Sequence, residues 1–281
     1  ARQALQRAIE LSFANNNAHS RMAATHEQVL RLEAAGIVYD AARVRKPELA
    51  LFDRQYWRER NGLAEVPGGR GSVAFVEADN QRWVLRHYRR GGLIARLSED
   101  RYLWRGADRT RSFAEWRLLA ELQRLDLPVP APIAACYRRH GVLYTADLLT
   151  EALVDTSTLT QALRMAPLSE AEWHRIGQTI ARFHAHGVHH ADLNANNILL
   201  NRTSGDVYLL DFDRGRIRPR GPWEQHVFAR LHRSLTKLSG QCSPFHFDER
   251  AWVWLGEGHK SQVLGTKTGN GELAAENAKK N

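Results

Sequence analysis

Lysine, cysteine and long apolar runs are the scarce features of this sequence. Only six of its 40 Lys and Arg residues are lysines, and none lies between Lys46 and Lys237. The two cysteines, Cys136 and Cys242, are too few for a disulfide framework and fit a reducing compartment. No apolar run reaches about 18 residues, so no membrane-spanning helix is predicted. The first residues lack the pattern of a signal peptide, and we therefore expect a cytoplasmic protein.

Positive charge is abundant instead. The net charge is +9 and the pI about 9.9, which indicates an anionic partner such as nucleic acid, a membrane surface or a phosphorylated substrate. A solvated basic surface explains the charge equally well. Hydrophobic residues make up 43% of the chain and include eight tryptophans, enough to build a core.

The two ends of the chain differ in composition from its middle. Residues 1–35 are polar with a helical pattern and predict an extension. Because Met22 offers a plausible start, we expect residues 1–21 not to belong to the working protein. Residues 256–281 are rich in Gly, Lys and Asn, and they predict a disordered tail.

The middle of the chain predicts two lobes of different character. Residues 36–150 read as a small β-rich lobe and residues 151–255 as a helical lobe. The predicted elements are a hairpin of residues 71–77 and 82–88, a helix with Ser112 as its N-cap, a helix from Ser169 to Gly187, and two short strands in NNILLN and VYLLDFD.

Polar residues with metal-binding and acid–base potential flank those last two strands. Asp192 lies in a loop after a predicted helix, Asn197 precedes the first strand, and Asp211 ends the second. A hairpin would bring Asn197 and Asp211 close together, and their oxygens are ligands that suit Mg²⁺. Asp192, off the metal, would accept a proton from an attacking hydroxyl. The arrangement predicts phosphoryl transfer.

These motifs resemble those of the protein-kinase-like superfamily. HADLNANN matches the pattern H-x-D-x-x-x-x-N, and DFD at 211–213 stands where DFG is usual. PGGRGSV stands in place of the glycine-rich loop, so Gly69 and Gly71 are expected to let it approach the phosphates. FAEW places Glu115 in the helix that supplies the ion-pair glutamate. The resemblance implies a two-lobed α+β kinase-like fold, with a reduced helical C-lobe, that uses ATP and Mg²⁺.

The superfamily's lysine is replaced by arginine. Arg86 in WVLRHY occupies its position, and neither lobe offers a lysine nearby. An arginine can still fork onto phosphate oxygens and pair with Glu115, although its geometry differs from that of an ammonium group. We expect Arg86 and Glu115 to steady the nucleotide.

A closer resemblance is to the 3-deoxy-D-manno-octulosonic acid (Kdo) kinases, which carry the same arginine and DFD. It rests on several segments in family order across roughly residues 36–254: LRHYRRGG, DRYLW, TRSFAEWRLL, LPVPAPIAA, HADLNANNILL and LLDFDRGRIR. The resemblance implies ATP-dependent phosphorylation of the Kdo sugar of a Kdo-lipid A precursor by a peripheral protein at the cytoplasmic face of the inner membrane. It implies no nucleic-acid partner.

Four alternatives remain open on the sequence alone. A heptose kinase, or another small-molecule kinase of the superfamily, would share every catalytic residue. A non-catalytic nucleic-acid-binding protein would explain the charge. The histidines from His184 to His190 could form a zinc site, although bracing of the loop by His190 is favoured. Glu115 could be no more than a capping partner of Ser112.

Arginines near the proposed acceptor side are expected to bind anionic lipid. They are Arg89, Arg90, Arg101, Arg105, Arg214, Arg216, Arg218 and Arg220. An ordinary solvated surface is the alternative.

Overall fold

A computed structural model describes residues 25–65, 73–78, 81–89 and 100–261. The chain forms two compact units that divide between Val154 and Asp155. Both strands and helices are present, so the predicted α+β class is confirmed. Within the described ranges, no helix combines enough length with enough apolar character to cross a membrane.

The first unit is built on an antiparallel sheet of eight strands. They are β1 (Glu27–Arg31), β2 (Ala35–Asp40), β3 (Leu63–Glu65), β4 (Val73–Ala78), β5 (Gln81–His87), β6 (Tyr102–Leu103), β7 (Pro132–His140) and β8 (Leu143–Glu151). The order across the sheet is β1-β2-β7-β8-β5-β4-β3, and β6 also pairs with β8. The predicted hairpin corresponds to β4 and β5.

Short helices supply part of the core of this unit. Helix α1 (Arg54–Glu59) follows a 3₁₀ turn at Leu49–Phe52. The indole of Trp57 donates a 2.8 Å hydrogen bond to the carbonyl of Leu51 and meets Trp83 edge-on at 6.1 Å. These side chains form one apolar cluster with residues of β2, β4, β5, β7 and β8.

Helix α2 (Arg111–Arg124) packs against β7 and β8. Its buried residues recur at helical spacing: Phe113, Glu115, Trp116, Leu119 and Leu122. The predicted N-cap, Ser112, is wrong, because Thr110 is the N-cap and the helix begins at Arg111, two residues earlier than predicted. The Ser112 hydroxyl instead donates to the carbonyl of Cys136 at 2.8 Å and ties the helix to β7.

The second unit combines helices with two small groups of strands. The helices are α3 (Leu159–Met165), α4 (Glu170–Ala185), α5 (Trp223–Gln241) and α6 (residues 249–261). The strands are β9 (Ser157–Thr158), β10 (Val188–His189), β11 (Ile198–Leu200), β12 (Val207–Leu209) and β13 (Arg216–Ile217). Strands pair in the order β12-β11-β9 and, separately, β10-β13.

Helix α4 begins and ends where the sequence predicts. Ser169 and Glu172 form a capping box that satisfies backbone donors at the first turn. Four large side chains spaced along one face are buried: Trp173, Ile176, Ile180 and Phe183. Gly187 follows the helix with φ +70°, a conformation that favours glycine.

The predicted N-terminal extension is wrong in its last part. Residues 27–31 and 35–40 are strands, so the last part of the predicted extension is a β-hairpin of the sheet rather than a helix. The segment EQVLR has good helix formers, but β2 is rich in buried β-branched residues and offers a backbone edge with which β1 pairs. Tertiary pairing therefore overrides local propensity. Residues 1–24 lie outside the described residues.

The predicted disordered tail is wrong for residues 256–261, which complete helix α6. Two glycines allow this helix to approach α4 closely. A Cβ on Gly177 would lie 2.1 Å from the carbonyl oxygen of Leu255, and one on Gly258 would lie 2.2 Å from that of His174. Composition alone does not predict this packing, because glycine normally weakens a helix and a glycine-rich segment is therefore expected to be irregular. Residues 262–281 lie outside the described residues.

Candidate active site

The loop after α4 carries the motif HADLNANN. Gly187 lies against β13, where a Cβ would come 2.2 Å from the carbonyl oxygen of Arg218. Strand β10 then pairs with β13, with Val188 opposite Ile217. The loop is therefore fixed at its start by backbone pairing, before the polar residues begin.

His190 braces the loop from inside, as the sequence favours. Its Nε2 donates to the carbonyl of Leu210 at 2.8 Å, and its Nδ1 accepts from the backbone N–H of Asp192 at 3.1 Å. One nitrogen donates and the other accepts, which corresponds to the neutral ring. Burial lowers the pKa of His190, which keeps that form. The ring also contacts Phe212, with centroids 4.8 Å apart.

Asp192 presents a half-exposed carboxylate held by one arginine. Both Nε and Nη2 of Arg230, from α5, donate to Oδ1 of Asp192, the Nε bond being 2.8 Å long. The Asp192 side chain is 52% exposed. Its second oxygen, Oδ2, accepts from no group among the described residues and is available to a hydroxyl. A positioned carboxylate of this kind can orient an acceptor and take its proton.

Asn197 and Asp211 are brought to the same place by the hairpin of β11 and β12. Ile198 pairs with Leu209, and the backbone N–H of Leu210 donates to the carbonyl of Asn197 at 2.9 Å. Asp211 follows directly, with φ +61°, a left-handed conformation that is costly for a non-glycine residue. The predicted proximity of the two residues is thus present in the structure.

The donor chemistry at this position fits Mg²⁺. The amide nitrogen of Asn197 donates to the carbonyl of Asp192 at 2.9 Å, which leaves its amide oxygen directed elsewhere. That oxygen and the Asp211 carboxylate are hard ligands of the type that Mg²⁺ takes together with phosphates and water. Bound there, the ion would neutralise phosphate charge. The ligand roles of Asn197 and Asp211 stay predictions.

The zinc alternative finds no support. Among the described residues no group of three or more His, Cys, Asp or Glu side chains is arranged to hold a metal. His184 is buried and its Nδ1 lies 3.0 Å from Nε2 of His259 on α6, whereas His186 is exposed. Burial lowers the pKa of His184 to about 4. His184 and His259 therefore pack α4 against α6.

The first unit contains the other predicted charged pair. Nη2 of Arg86 on β5 lies 2.5 Å from Oε1 of Glu115 on α2. Glu115 is buried, and its Oε2 accepts from the hydroxyl of Tyr88 at 2.5 Å. The guanidinium of Arg86 also lies over the Tyr88 ring, 4.7 Å from its centroid. Because Ser112 is not a cap, the alternative role for Glu115 is wrong.

Whether Arg86 and Glu115 contact a nucleotide stays a prediction. Gly69 and Gly71, assigned to the phosphate-covering loop, lie outside the described residues. The role of Asp192 as the acceptor-side carboxylate also stays a prediction.

Sequence reasoning missed three residues that hold these groups. Arg230 and Ser234 lie one turn apart on α5, and the Ser234 hydroxyl accepts from the N–H of Ala195 in the loop at 3.3 Å. They border a buried stripe of that helix formed by Val227, Leu231 and Leu235. Such polar positions beside an apolar stripe are the one available signal. The sequence gives no such signal for Tyr88, which stands at the end of a predicted strand.

Comparisons with known proteins show the family to which the sequence is similar. Residues 54–253 match the sequence profile of the lipopolysaccharide kinase (Kdo/WaaP) family. A curated 3-deoxy-D-manno-octulosonic acid kinase of Xylella fastidiosa (strain M23) is 50% identical over 209 residues, 74% of this chain and 82% of the relative. One of Xanthomonas euvesicatoria pv. vesicatoria (strain 85-10) is 50% identical over 208 residues, with the same coverage.

Among solved structures, similarity is found to "WaaP in complex with acyl carrier protein". The TM-score is 0.46 at 16% identity, over 80% of this chain and 91% of that one. The profile match and the two curated relatives, each spanning most of the chain, decide the assignment: this chain belongs to the lipopolysaccharide kinase (Kdo/WaaP) family.

Proposed function

We propose that this chain phosphorylates the Kdo sugar of a Kdo-lipid A precursor, with ATP as the phosphoryl donor, in the synthesis of the lipopolysaccharide core. Its family is one of kinases, and curated relatives that are half identical to it are Kdo kinases. Membership of a kinase family favours this function over the non-catalytic nucleic-acid-binding alternative.

The observation that carries the proposal is the geometry of the catalytic loop. Arg230 holds one oxygen of Asp192, and the other oxygen is left for the acceptor hydroxyl. The Asn197 side chain donates a hydrogen bond to the backbone carbonyl of Asp192, and the pairing of β11 with β12 brings Asn197 close to Asp211. Asp192 would orient the sugar hydroxyl and take its proton, while Asn197 and Asp211 would hold Mg²⁺ on the phosphates. Arg86, paired with Glu115, would steady the nucleotide.

The acceptor is a lipid, and we extend the proposal to peripheral binding at the cytoplasmic face of the inner membrane. Arg214 and Arg216 are exposed and suit anionic lipid. Arg220 is a poorer candidate than its sequence position indicates, since it forms a fork with Glu224. The net charge of +9 supports electrostatic attraction to such a surface.

An acceptor comparison tests the proposal against a heptose kinase. Purified protein and labelled ATP are incubated with Kdo-lipid A precursor and, separately, with a heptosylated core in which the Kdo positions are blocked. We expect label on the first acceptor, with turnover lost on chelation of Mg²⁺. Label on the second acceptor alone would assign a heptose kinase.

A further inference from the structure

One end of the sheet in the first unit exposes an unusual group of apolar side chains. Six large hydrophobic side chains are exposed among the described residues, and three of them lie at this end. They are Leu32, 43% exposed; Leu103, 52% exposed; and Val142, 72% exposed. Isolated exposed apolar residues are ordinary, but their convergence at one edge indicates an interaction surface.

Strand register shows that the three residues share this end. Leu32 lies in the turn between β1 and β2, and the carbonyl of Ala34 in that turn accepts from the N–H of Arg139 at 2.7 Å. Val142 lies in the turn between β7 and β8, and its carbonyl accepts from the N–H of Trp104 at 2.9 Å. The ends of five neighbouring strands, β1, β2, β7, β8 and β6, thus form a row about 20 Å wide.

An aromatic side chain and several basic ones complete this surface. Trp104 is half-buried, with its ring 4.9 Å from that of Tyr137, and the guanidinium of Arg139 lies 5.2 Å from its centroid. Arg101 and Arg105 are exposed and, among the described residues, form no ion pair. Tryptophan beside arginine and aliphatic residues is the composition of a membrane–water boundary.

Nearby carboxylates do little to cancel this charge. Asp108 is shared between Arg117 at 3.0 Å and Arg31 at 3.9 Å, and Asp100 lies 3.5 Å from His87. Glu33, in the turn beside Leu32, is exposed and forms no ion pair among the described residues.

We propose that this end of the sheet docks on an anionic lipid surface. The sheet end is defined by Leu32, Arg101, Leu103, Trp104, Arg105, Arg139 and Val142. The aliphatic residues and Trp104 would enter the headgroup region while the arginines bind lipid phosphates. An anionic membrane fits this mixture because it offers negative charge and an apolar layer along a flat surface. The inference rests on the proposed function only in needing a membrane-bound acceptor.

The first test is binding to vesicles of phosphatidylcholine containing roughly one-third phosphatidylglycerol, measured by co-sedimentation at low and high salt. Removing two charges, in Arg101→Gln/Arg105→Gln, should weaken binding at low salt about thirtyfold. Removing apolar surface, in Leu103→Gln/Val142→Gln, should weaken it at least about tenfold. All four side chains are exposed, so the fold should persist.

Matched variants separate the sheet end from general charge and apolar content. Arg45→Gln/Arg60→Gln removes the same charge from exposed positions toward the opposite end of the sheet. Met165→Gln/Val253→Gln removes exposed apolar residues from the second unit. Both should bind vesicles like the native chain. Equal loss in a control and its test variant would overturn the assignment of this surface.

A second measurement reports which residue enters the lipid. A polarity-sensitive fluorophore is attached to Val142→Cys in a Cys242→Ser chain, since Cys136 is buried and burial raises its thiol pKa well above the usual range. We expect a blue shift with anionic vesicles, and none for a label on Met165→Cys. The absence of a shift at Val142 would overturn the proposal. An acidic protein as the true occupant would give this result, because the label would then not enter lipid.

The docking surface and the kinase activity can be tested independently of each other. Phosphorylation of a detergent-solubilised Kdo acceptor, together with vesicle binding unaffected by the sheet-end variants, would leave the function standing and overturn the docking surface. Vesicle binding that depends on the sheet end, without phosphorylation of Kdo, would support the docking surface and overturn the proposed function.

Discussion

Arg230 donates two hydrogen bonds to a single oxygen of Asp192 across 38 residues of sequence. This one-sided fork fixes the plane of the carboxylate and leaves its other oxygen for a ligand. The bonds are charge-assisted, but both side chains are about half exposed, so water weakens the pair. Its value therefore lies in orienting Asp192 rather than in stabilising the fold.

Removal of Arg230 should slow phosphoryl transfer. We expect Arg230→Ala to lower kcat about ten- to a hundredfold, because a misplaced catalytic group costs rate, with the KM for ATP nearly unchanged. Arg233→Ala, an exposed arginine of the same helix, should keep full activity. In an Asp192→Ala chain the Arg230 change should have no further effect. A full additional loss there would show that Arg230 acts independently of Asp192.

Arg86→Lys should impair the enzyme even though lysine is usual in the superfamily. The Nη2 of Arg86 serves both Glu115 at 2.5 Å and the hydroxyl of Tyr88 at 3.3 Å, a geometry that a shorter ammonium cannot reproduce. We expect MgATP affinity to fall about tenfold, measured by calorimetry. Arg82→Lys, on the same strand but exposed, is the control and should bind normally. Unchanged affinity in Arg86→Lys would mean that the arginine is merely tolerated.

Local sequence patterns predict the geometry of the loop from His190 to Asn197 well, because that geometry depends on residues close in sequence. The short hairpin after Asn197 brings Asp211 near it through adjacent backbone pairing, and the capping box at Ser169 needs only Glu172. Both arrangements involve residues that are close in sequence, so spacing and residue type suffice to foresee them.

The features that the sequence does not predict depend on contacts between residues that are far apart in the chain. Arg230 reaches Asp192 only because α5 packs beside the loop, and no spacing rule connects them. Residues 27–31 form a strand because β2 is there to pair with them. Residues 256–261 remain helical because Gly177 and Gly258 permit close contact between helices. Tertiary context decides each case.

The close contact of α4 with α6 predicts opposite effects for two glycines on one helix. Gly258→Ala should destabilise the protein by about 1–3 kcal/mol, because its Cβ would meet the backbone of His174. Gly256→Ala has open space within 4 Å and should be neutral or stabilising by up to about 1 kcal/mol. Urea unfolding of both variants measures this. Equal destabilisation by the two changes would argue against the packing of α6.

The pair of His184 and His259 should make stability depend on acid pH. The pKa of His184 is about 4, lowered first by burial and then by the positive charge that His259 can carry; Glu224 opposes the shift. In the unfolded chain the pKa of His184 is near 6.5. Between pH 6.5 and 4 the side chain is therefore protonated in the unfolded state but neutral in the folded state. Stability should therefore fall as pH drops from about 6.5 to 4, by up to about 3 kcal/mol.

Substitution should flatten that dependence. His184→Phe keeps an aromatic ring against Trp223 but cannot be protonated, so its unfolding free energy should change less over this pH range than that of the native chain. His186→Gln, at an exposed neighbour, should leave the dependence as it is. Urea unfolding at several pH values compares the three proteins. If the unfolding free energies of His184→Phe and the native chain changed equally with pH, His184 would not be the source of the pH dependence.

Transfer of label from γ-labelled ATP to a Kdo-lipid A precursor, with MgATP binding measured in parallel, tests whether this chain is a Kdo kinase that uses Asp192. The native chain should phosphorylate the acceptor. Asp192→Ala should lose about a hundredfold or more of that rate while binding MgATP nearly normally, and Asp211→Ala should lose Mg²⁺-dependent nucleotide affinity. Near-normal transfer by Asp192→Ala would exclude Asp192 as the acceptor-side carboxylate, and no transfer to Kdo by the native chain would exclude Kdo as the acceptor.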